Sequence, residues 1–254
     1  MTSYDAFARY YDAEISSYTD DVTLYREMAM RTGSPLLELM CGAGRLLLPL
    51  AESGLHITGV DVSQRMLDMA RVKLDKAGLL EYVTLLQGDV RNIELPNEHF
   101  ALAFVALNSF MHLEQAKDQL VTLTNVRRAL KRDGLLILDV FNPNPCHLSN
   151  EDNRLLLDRD FHLDDGQQVF KFVASESDMA TQTSTMTCFY ERVDAHGQVH
   201  RQVVRFSMRW MYRYELEHLL ARAGFMLRFV YGSYDLDEYT SDSERLIAVA
   251  SVAR

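Results

Sequence analysis

Cysteine, proline and long apolar runs are all scarce in this chain. It has three cysteines and five prolines among 254 residues, and Cys41, Cys146 and Cys188 are too far apart for a disulfide framework or a zinc site. No apolar run reaches the roughly 18 residues that span a bilayer. The N-terminus also lacks the basic start and apolar stretch of a signal peptide. We therefore expect a reduced, cytoplasmic protein without a metal site.

Positive charge is also in short supply. Lysine and arginine number 26 against 36 aspartates and glutamates, which gives a net charge of −10 and a pI near 5.3. An acidic chain is a poor partner for the phosphates of nucleic acid or for anionic lipid. With 24% charged and 48% hydrophobic residues, the composition is that of a folded globular protein. These values predict that the protein binds neither nucleic acid nor a membrane.

Between residues 36 and 141, short apolar runs alternate with segments of helical spacing. The apolar runs predict strands at 36–40, 56–60, 82–86, 100–107 and 135–141. Helices are predicted at 45–53, 63–77 and 113–130, the second capped by Ser63 and Gly78 and the third closed by Asp133-Gly134. This alternation predicts βαβ units and hence an α/β fold with a doubly wound, mainly parallel sheet.

After Asn142 the alternation gives way to a two-residue period. Segments 169–175, 183–193 and 199–210 predict antiparallel strands, with turn signals at 164–166 and 194–197. A helix at 212–223 and two closing strands at 225–231 and 245–252 follow, which completes a seven-stranded sheet. We predict an N-terminal helical cap over the site at 1–34, an α/β domain at 35–145 and 211–254, and an antiparallel β insert at 146–210.

A glycine-containing turn follows the first predicted strand. Gly42 and Gly44 let the backbone approach a ligand and aim helix N–H groups at it. Asp61 ends the second strand, where a carboxylate can accept from ribose hydroxyls. Asp89 ends the third strand and could accept from an adenine amino group, and Met66 could cover the adenine face. Position 47 is leucine, so the G-x-G-x-x-G fingerprint is incomplete and a nicotinamide oxidoreductase is disfavoured.

Residues 38–45, 59–63 and 88–90, in this order, resemble the motifs of the class I S-adenosylmethionine-dependent methyltransferases. The resemblance covers about residues 36–141 and the closing hairpin after Gly224, with Met40 where that family usually has a glycine. It implies a Rossmann-like fold, S-adenosylmethionine as the cofactor and S-adenosylhomocysteine as the product. It further implies that Glu38 anchors the amino-acid end of the cofactor. The implied cofactor-binding residues are Glu38, Met40, Gly42, Gly44, Asp61, Val62, Met66, Asp89, Val90 and Asn108.

The loop after the fourth predicted strand, residues 108–113, resembles that of the N-methyltransferases that dimethylate amino sugars. In those enzymes a histidine at the position of His112 removes the proton of the acceptor. A Tyr-Asp pair near their N-terminus, here Tyr11-Asp12, helps to close the site. Histidine has a reference pKa of about 6.5 and can take a proton near neutral pH. The resemblance implies His112 and Tyr11 as catalytic residues; a helix-start histidine and a packing tyrosine are the alternative interpretations.

The motifs and the predicted insert together most resemble those of enzymes that methylate an amine of a small molecule or a peptide and carry an antiparallel insert. O-methylation of a small hydroxylated metabolite, or a catalytically silent protein that binds the cofactor, are the alternatives. The Asn-Pro-Pro-aromatic motif of nucleic-acid amino-methyltransferases belongs after the fourth strand, where residues 108–111 contain no proline. We therefore expect a small-molecule or peptide acceptor, and a monomer or a homodimer formed through the β insert.

Overall fold

The computed structural model describes residues 3–144, 148, 154–194 and 196–253. The chain divides into two compact units, Met1–Tyr18 with Pro143–Trp210 and Thr19–Asn142 with Met211–Arg254. In chain order the main elements are α1 (Ser3–Ile15), α2 (Val22–Thr32), β1 (Leu36–Leu39), α3 (Leu47–Glu52), β2 (Ile57–Asp61), α4 (Gln64–Lys76), β3 (Val83–Gln87), β4 (Phe100–Val105), α5 (Ala116–Ala129), β5 (Leu130–Phe141), β6 (Leu155–His162), β7 (Gln168–Asp178), β8 (Thr183–Val193), β9 (Val199–Arg209), α6 (Arg213–Arg222), β10 (Phe225–Tyr231) and β11 (Arg245–Val252).

The larger unit is built on a seven-stranded sheet with the order β10-β11-β5-β4-β1-β2-β3. Strands β1 to β5 pair in parallel, and β10 and β11 form an antiparallel hairpin beside β5. β1 lies between β2 and β4, so the strand order reverses there. Open α/β sheets bind their ligands at such a reversal, outside the carboxyl ends of the strands. The predicted doubly wound, mainly parallel sheet is confirmed.

The helix α4 shows how the local sequence produces the elements of this unit. The hydroxyl of Ser63 accepts a hydrogen bond from the N–H of Met66 at 3.2 Å and so caps the start of the helix. Gly78 follows the end of the helix with a φ of 71°. Four apolar residues at helical spacing are buried: Met66, Leu67, Ala70 and Leu74. Helix α2 also contacts the sheet of this unit, because Tyr25 of α2 packs on Phe104 of β4 with 4.6 Å between the ring centroids.

The smaller unit contains a four-stranded antiparallel sheet in the order β6-β7-β8-β9, which is the predicted insert. Helix α1 packs on this sheet, and Phe7 is buried in its core beside Tyr190. The ring of Tyr10 stacks on that of Tyr190 with 5.0 Å between centroids. Glu14 accepts from Nζ of Lys171 at 2.7 Å and from the hydroxyl of Tyr190 at 3.2 Å. α1 is therefore joined to the sheet by both apolar and charged contacts.

Several predicted element ends are wrong. The helix predicted at 113–130 begins only at Ala116, because Gln115 before it has an extended backbone, and Ser109–His112 is a separate 3₁₀ helix. It ends at Ala129, and Asp133-Gly134, predicted to close it, lies within β5, near a shift in the register with β4. The sequence pattern does not single out β6, because nearly all its residues are exposed and show no alternation.

Residues 1–34, predicted as one helical cap, form two helices that belong to different units: α1 to the smaller and α2 to the larger. The role of this segment over the site stays a prediction, as do the other predicted domain limits. Cys146 lies outside the described residues. Within the described ranges, no helix is both long and apolar enough to cross a membrane.

Candidate functional site

The turn after β1 has an unusual backbone. Met40, Gly42 and Gly44 have φ values of 57°, 53° and 77°, in the left-handed region that glycine adopts without steric cost. Met40 therefore adopts a glycine-like conformation with a full side chain. A Cβ on Gly44 would lie 2.9 Å from the Cβ of Ala70 on α4, so the turn and this helix approach too closely for a larger residue.

Asp61, at the end of β2, joins this turn to the start of α4. Its Oδ2 accepts from the N–H of Gly42 at 2.8 Å, and its Oδ1 accepts from the N–H of Ser63 at 2.9 Å. The residue is 9% exposed. A carboxylate oxygen can accept more than one hydrogen bond. The structure gives Asp61 a backbone-organising role, and its predicted contact with a ribose stays a prediction.

Glu38 lies on β1 and is only 4% exposed. Among the described residues, nothing donates a hydrogen bond to its Oε2. Burial raises the pKa of Glu38 to about 8, Asp21 and Asp61 add to the rise, and Arg45 opposes it. At neutral pH the carboxyl group is therefore mostly protonated, and a cation placed beside Oε2 would favour its ionised form.

Sequence reasoning missed the ion pair next to Glu38. Arg45, directly after the glycine turn, donates from Nη1 and Nη2 to the two carboxylate oxygens of Asp21, each at 2.6 Å. Asp21 is fully buried, and so is Tyr25 in α2. The hydroxyl of Tyr25 has no partner in the described part of the chain. Burial raises the pKa of Tyr25, and Asp139 and Asp21 raise it further.

The residues predicted to contact adenine are Met66, Asp89 and Val90. Met66 and Val90 are buried, whereas Val62, predicted to bind the cofactor, is exposed. Nε of Arg91 donates to Oδ1 of Asp89 at 2.9 Å, and this pairing lowers the pKa of Asp89. The carboxylate that we expect to meet an adenine amino group is therefore ionised and charge-paired. The contacts of these residues with the cofactor stay predictions.

The loop after β4 contains two consecutive non-glycine residues with positive φ, Leu107 at 47° and Asn108 at 63°. The N–H of Leu107 donates to Oδ2 of Asp139 at 3.0 Å, and Oδ1 of Asn108 accepts from the N–H of Phe141 at 2.7 Å. Asn108, predicted to bind the cofactor, is thus engaged with β5. His112 is half-buried at the end of the 3₁₀ helix that follows.

Asp139 is a second residue that sequence reasoning missed. It is fully buried on β5, and Arg245 and Tyr234 both donate to its carboxylate. The available signal was a lone aspartate within the apolar run 135–141, because a buried charge requires partners.

The predicted site residues are distributed over both units. Tyr11 is half-buried on α1 in the smaller unit, where its ring meets the edge of Phe7 with 6.0 Å between centroids. All the others lie in the larger unit, in or after strands β1 to β4. Where the structure describes the chain, no group of three or more His, Cys, Asp and Glu side chains could hold a metal ion.

Comparison with known proteins identifies the class of this chain. Residues 36–134 match a family model described as a methyltransferase domain. The protein named "Putative methyltransferase YqeM" from Bacillus subtilis is 28% identical over 258 residues, covering 99% of this chain and 98% of that protein. A solved S-adenosylmethionine-dependent methyltransferase from Clostridium acetobutylicum has a TM-score of 0.79 at 22% identity and covers 100% of both chains.

The sugar N-methyltransferase KedS8 from a Streptoalloteichus species has the same fold, with a TM-score of 0.74 at 18% identity over 96% of this chain and 92% of that one. The chain therefore carries a methyltransferase domain at the predicted place. The predicted fold, the enzyme class and S-adenosylmethionine as the expected cofactor are confirmed.

Proposed function

We propose that this class I S-adenosylmethionine-dependent methyltransferase transfers its methyl group to an amine of a small molecule or a peptide. The observation that carries the proposal is the fixed place of His112, after the turn at Leu107 and Asn108. Phe110 and Met111, directly before it, are fully buried, so the 3₁₀ helix cannot shift freely. Likeness in fold to a sugar N-methyltransferase supports an amine as the acceptor.

The residues around the glycine turn fit S-adenosylmethionine. This molecule carries an ammonium group and a sulfonium cation, and the orphaned Oε2 of Glu38 is a buried acceptor suited to the ammonium group. Asp21 and Asp61 add negative charge beside Glu38. We assign the ribose hydroxyls to Asp61. The remaining assigned cofactor contacts are Met40, Gly42, Gly44, Val62, Met66, Asp89, Val90 and Asn108.

We assign the role of general base to His112. The bound cofactor supplies a methyl group that its positive sulfur already activates. An alkylamine is protonated near neutral pH and then has no lone pair for attack, so an imidazole nitrogen of His112 takes the proton before the new bond forms. One positioned base contributes roughly 10²–10⁴-fold in rate. Alignment of the reacting groups can lower the barrier by a further ~7–11 kcal/mol.

We assign Tyr11 to closing the site over the cofactor. Its helix, α1, is held to the four-stranded sheet by the ion pair of Glu14 with Lys171 at 2.7 Å. Both side chains are largely buried, so the pair is poorly screened by solvent. We therefore infer that α1, with Tyr11, and the four-stranded sheet form one body.

The exposed face of the insert supports a homodimer. One apolar side chain from each strand forms a row in register: Leu157, Phe172, Phe189 and Val203. Leu157 and Val203, at the two ends of this row, are 58% and 54% exposed. Contiguous exposed apolar surface is typical of interaction sites. Light scattering would measure the mass in solution. The net charge of −10 supports an acceptor other than nucleic acid.

The proposal is tested by incubating the protein with S-adenosylmethionine and a panel of alkylamines, amino sugars and peptides. Mass spectrometry detects products that have gained one CH2 unit. With an accepted amine, His112→Ala should lower turnover by roughly 10²–10⁴-fold. The affinity for S-adenosylhomocysteine should stay within about twofold, because we place this side chain against the acceptor rather than the nucleoside.

The matched control is His99→Ala, which removes an exposed imidazole directly before β4 and should leave turnover unchanged. A His112→Ala variant that keeps turnover within a few-fold of wild type would contradict the role as base. Transfer only to hydroxyl compounds would favour O-methylation. Cofactor binding without transfer to any acceptor would favour a silent binding protein.

A further inference from the structure

The turn at Leu107 and Asn108 stores backbone strain next to the proposed base. Both residues have positive φ, which is uncommon for residues with a side chain. Such a conformation persists only where the surrounding contacts over-determine it. The turn leads directly into the 3₁₀ helix that ends at His112. What holds the turn therefore also determines where the imidazole of His112 lies.

Asp139 holds both strained residues. Its Oδ2 accepts from the N–H of Leu107 at 3.0 Å, and its backbone oxygen accepts from the N–H of Asn108 at 3.0 Å. Two residues further along β5, the N–H of Phe141 donates to Oδ1 of Asn108 at 2.7 Å. Three hydrogen bonds between β5 and these two residues thus fix the backbone conformation of the turn.

The Asp139 carboxylate is itself fixed in place by two other side chains. Nε of Arg245, on β11, donates to Oδ1 at 2.9 Å, and the hydroxyl of Tyr234 donates to Oδ2 at 3.0 Å. The guanidinium of Arg245 also lies over the ring of Tyr234, 5.6 Å from its centroid. Asp139 is fully buried. A buried ion pair often adds little net stability compared with apolar packing. Stability alone therefore does not explain this network, and we look to the groups that it holds in place.

We propose that Asp139 is a positioning residue, which holds the turn at Leu107 and Asn108 and thereby sets the place of His112. This proposal rests on the proposed role of His112 as the base. Arg245 and Tyr234 orient the Asp139 carboxylate towards the N–H of Leu107. A displacement of about 1 Å at a reacting group can lower a rate by about 10²-fold. Loss of the hydrogen bonds that fix this turn should therefore lower the turnover rate.

The test is the NMR spectrum of protein labelled with 15N in its histidine rings. His112→Ala assigns the His112 signals. Asp139→Asn replaces one acceptor oxygen by an NH2 group, so Arg245 loses its charged partner. The Asp139→Asn substitution should therefore shift and broaden the His112 signals, whereas the signals of His56 and His99 should not change. Tyr234→Phe keeps the ion pair, so it should give a smaller shift in the same signals and serves as the test if Asp139→Asn does not fold.

The matched control is Tyr239→Phe. It removes the same hydroxyl group, but Tyr239 donates to Oδ1 of Asn142 at 2.7 Å and not to Asp139. The His112 signals should therefore remain as in wild type. His112 signals that do not move in Asp139→Asn or, where that variant is unfolded, in Tyr234→Phe overturn the proposal.

The kinetic arm uses an amine accepted in the screen described above. Asp139→Asn, or Tyr234→Phe in its place, should lower kcat more than it changes KM, by about tenfold or more for Asp139→Asn. If His112→Ala loses turnover and Asp139→Asn does not, the positioning proposal is overturned and the proposed function stands. If His112→Ala itself keeps turnover, the proposed role of His112 as the base fails, and the positioning proposal falls with it.

Discussion

Replacing Glu38 by glutamine should change how the stability of the protein depends on pH. Burial raises the pKa of Glu38 from its ordinary 4.5 to about 8 in the folded chain. Between these values the folded protein keeps a proton that the unfolded chain has released, so stability falls as the pH rises. Glutamine has the shape of the protonated acid and stays neutral at all pH values. The Glu38→Gln variant should therefore lack this loss.

The size of the effect follows from the two pKa values. Inside the window, one proton corresponds to about 1.4 kcal/mol per pH unit in the free energy of unfolding. Between about pH 6 and about pH 8.5, the wild type should lose about 2–3 kcal/mol relative to Glu38→Gln, and the loss levels off above the folded-state value. Domains are typically stable by only about 5–15 kcal/mol, so this difference is easily measured.

Urea unfolding of the protein without ligand, followed by its helical circular dichroism, measures this difference at both pH values. Coincident transitions from a second probe establish that one step is being measured. The matched control is Glu52→Gln on α3, where the side chain is exposed, and it should keep the wild-type dependence on pH. If wild type and Glu38→Gln lose stability in parallel, Glu38 titrates as an ordinary carboxyl group and the reasoning from its burial is wrong.

The same group couples proton release to binding of the cofactor. If the ammonium group pairs with Oε2 of Glu38, binding requires the ionised carboxylate. The affinity for S-adenosylhomocysteine, measured by isothermal titration calorimetry, should then increase as the pH rises towards about 8. In Glu38→Gln this increase should be absent. An equal increase in both proteins would show that the proton comes from another group.

Two further variants test the glycine turn. Asp61→Ala removes the acceptor of the Gly42 N–H and of the proposed ribose contact. Calorimetry should show that the affinity for S-adenosylhomocysteine falls more than tenfold, a loss of ~1.5–3 kcal/mol. An unchanged affinity would mean that the ribose lies elsewhere. Gly44→Ala places a Cβ 2.9 Å from that of Ala70 and should destabilise the protein to urea by more than about 1 kcal/mol. Gly54→Ala, with a similar φ of 76° and no atom within 4 Å of the added Cβ, isolates the backbone contribution, so equal losses in both variants would contradict the close approach.

Much of the larger unit can be predicted because its signals are local. Every residue of β1 and β4 is buried, and both strands are apolar apart from Glu38 in β1, as expected of strands covered on both faces. β6 gives no such signal because its residues are exposed. The 3₁₀ helix Ser109–His112 lies in a segment predicted only as a loop, because four residues are too few to show a helical period. The backbone at Leu107 is set by hydrogen bonds from β5, which no local pattern reveals.

The charged part of the site depends on contacts between distant parts of the chain, so a single sequence shows its members but not their pairing. Arg45 bonds to Asp21, 24 residues away, and Arg245 to Asp139, 106 residues away. Burial alone does not separate the roles of the carboxylates. Both oxygens of Asp139 accept from the protein's own groups, so it organises the protein, whereas Glu38 keeps an orphaned oxygen within the described residues and is suited to a cation from outside. Hydrogen-bond satisfaction, which requires the fold, therefore separates Asp139 from Glu38, whereas Asp61 combines backbone contacts with its proposed ribose contact.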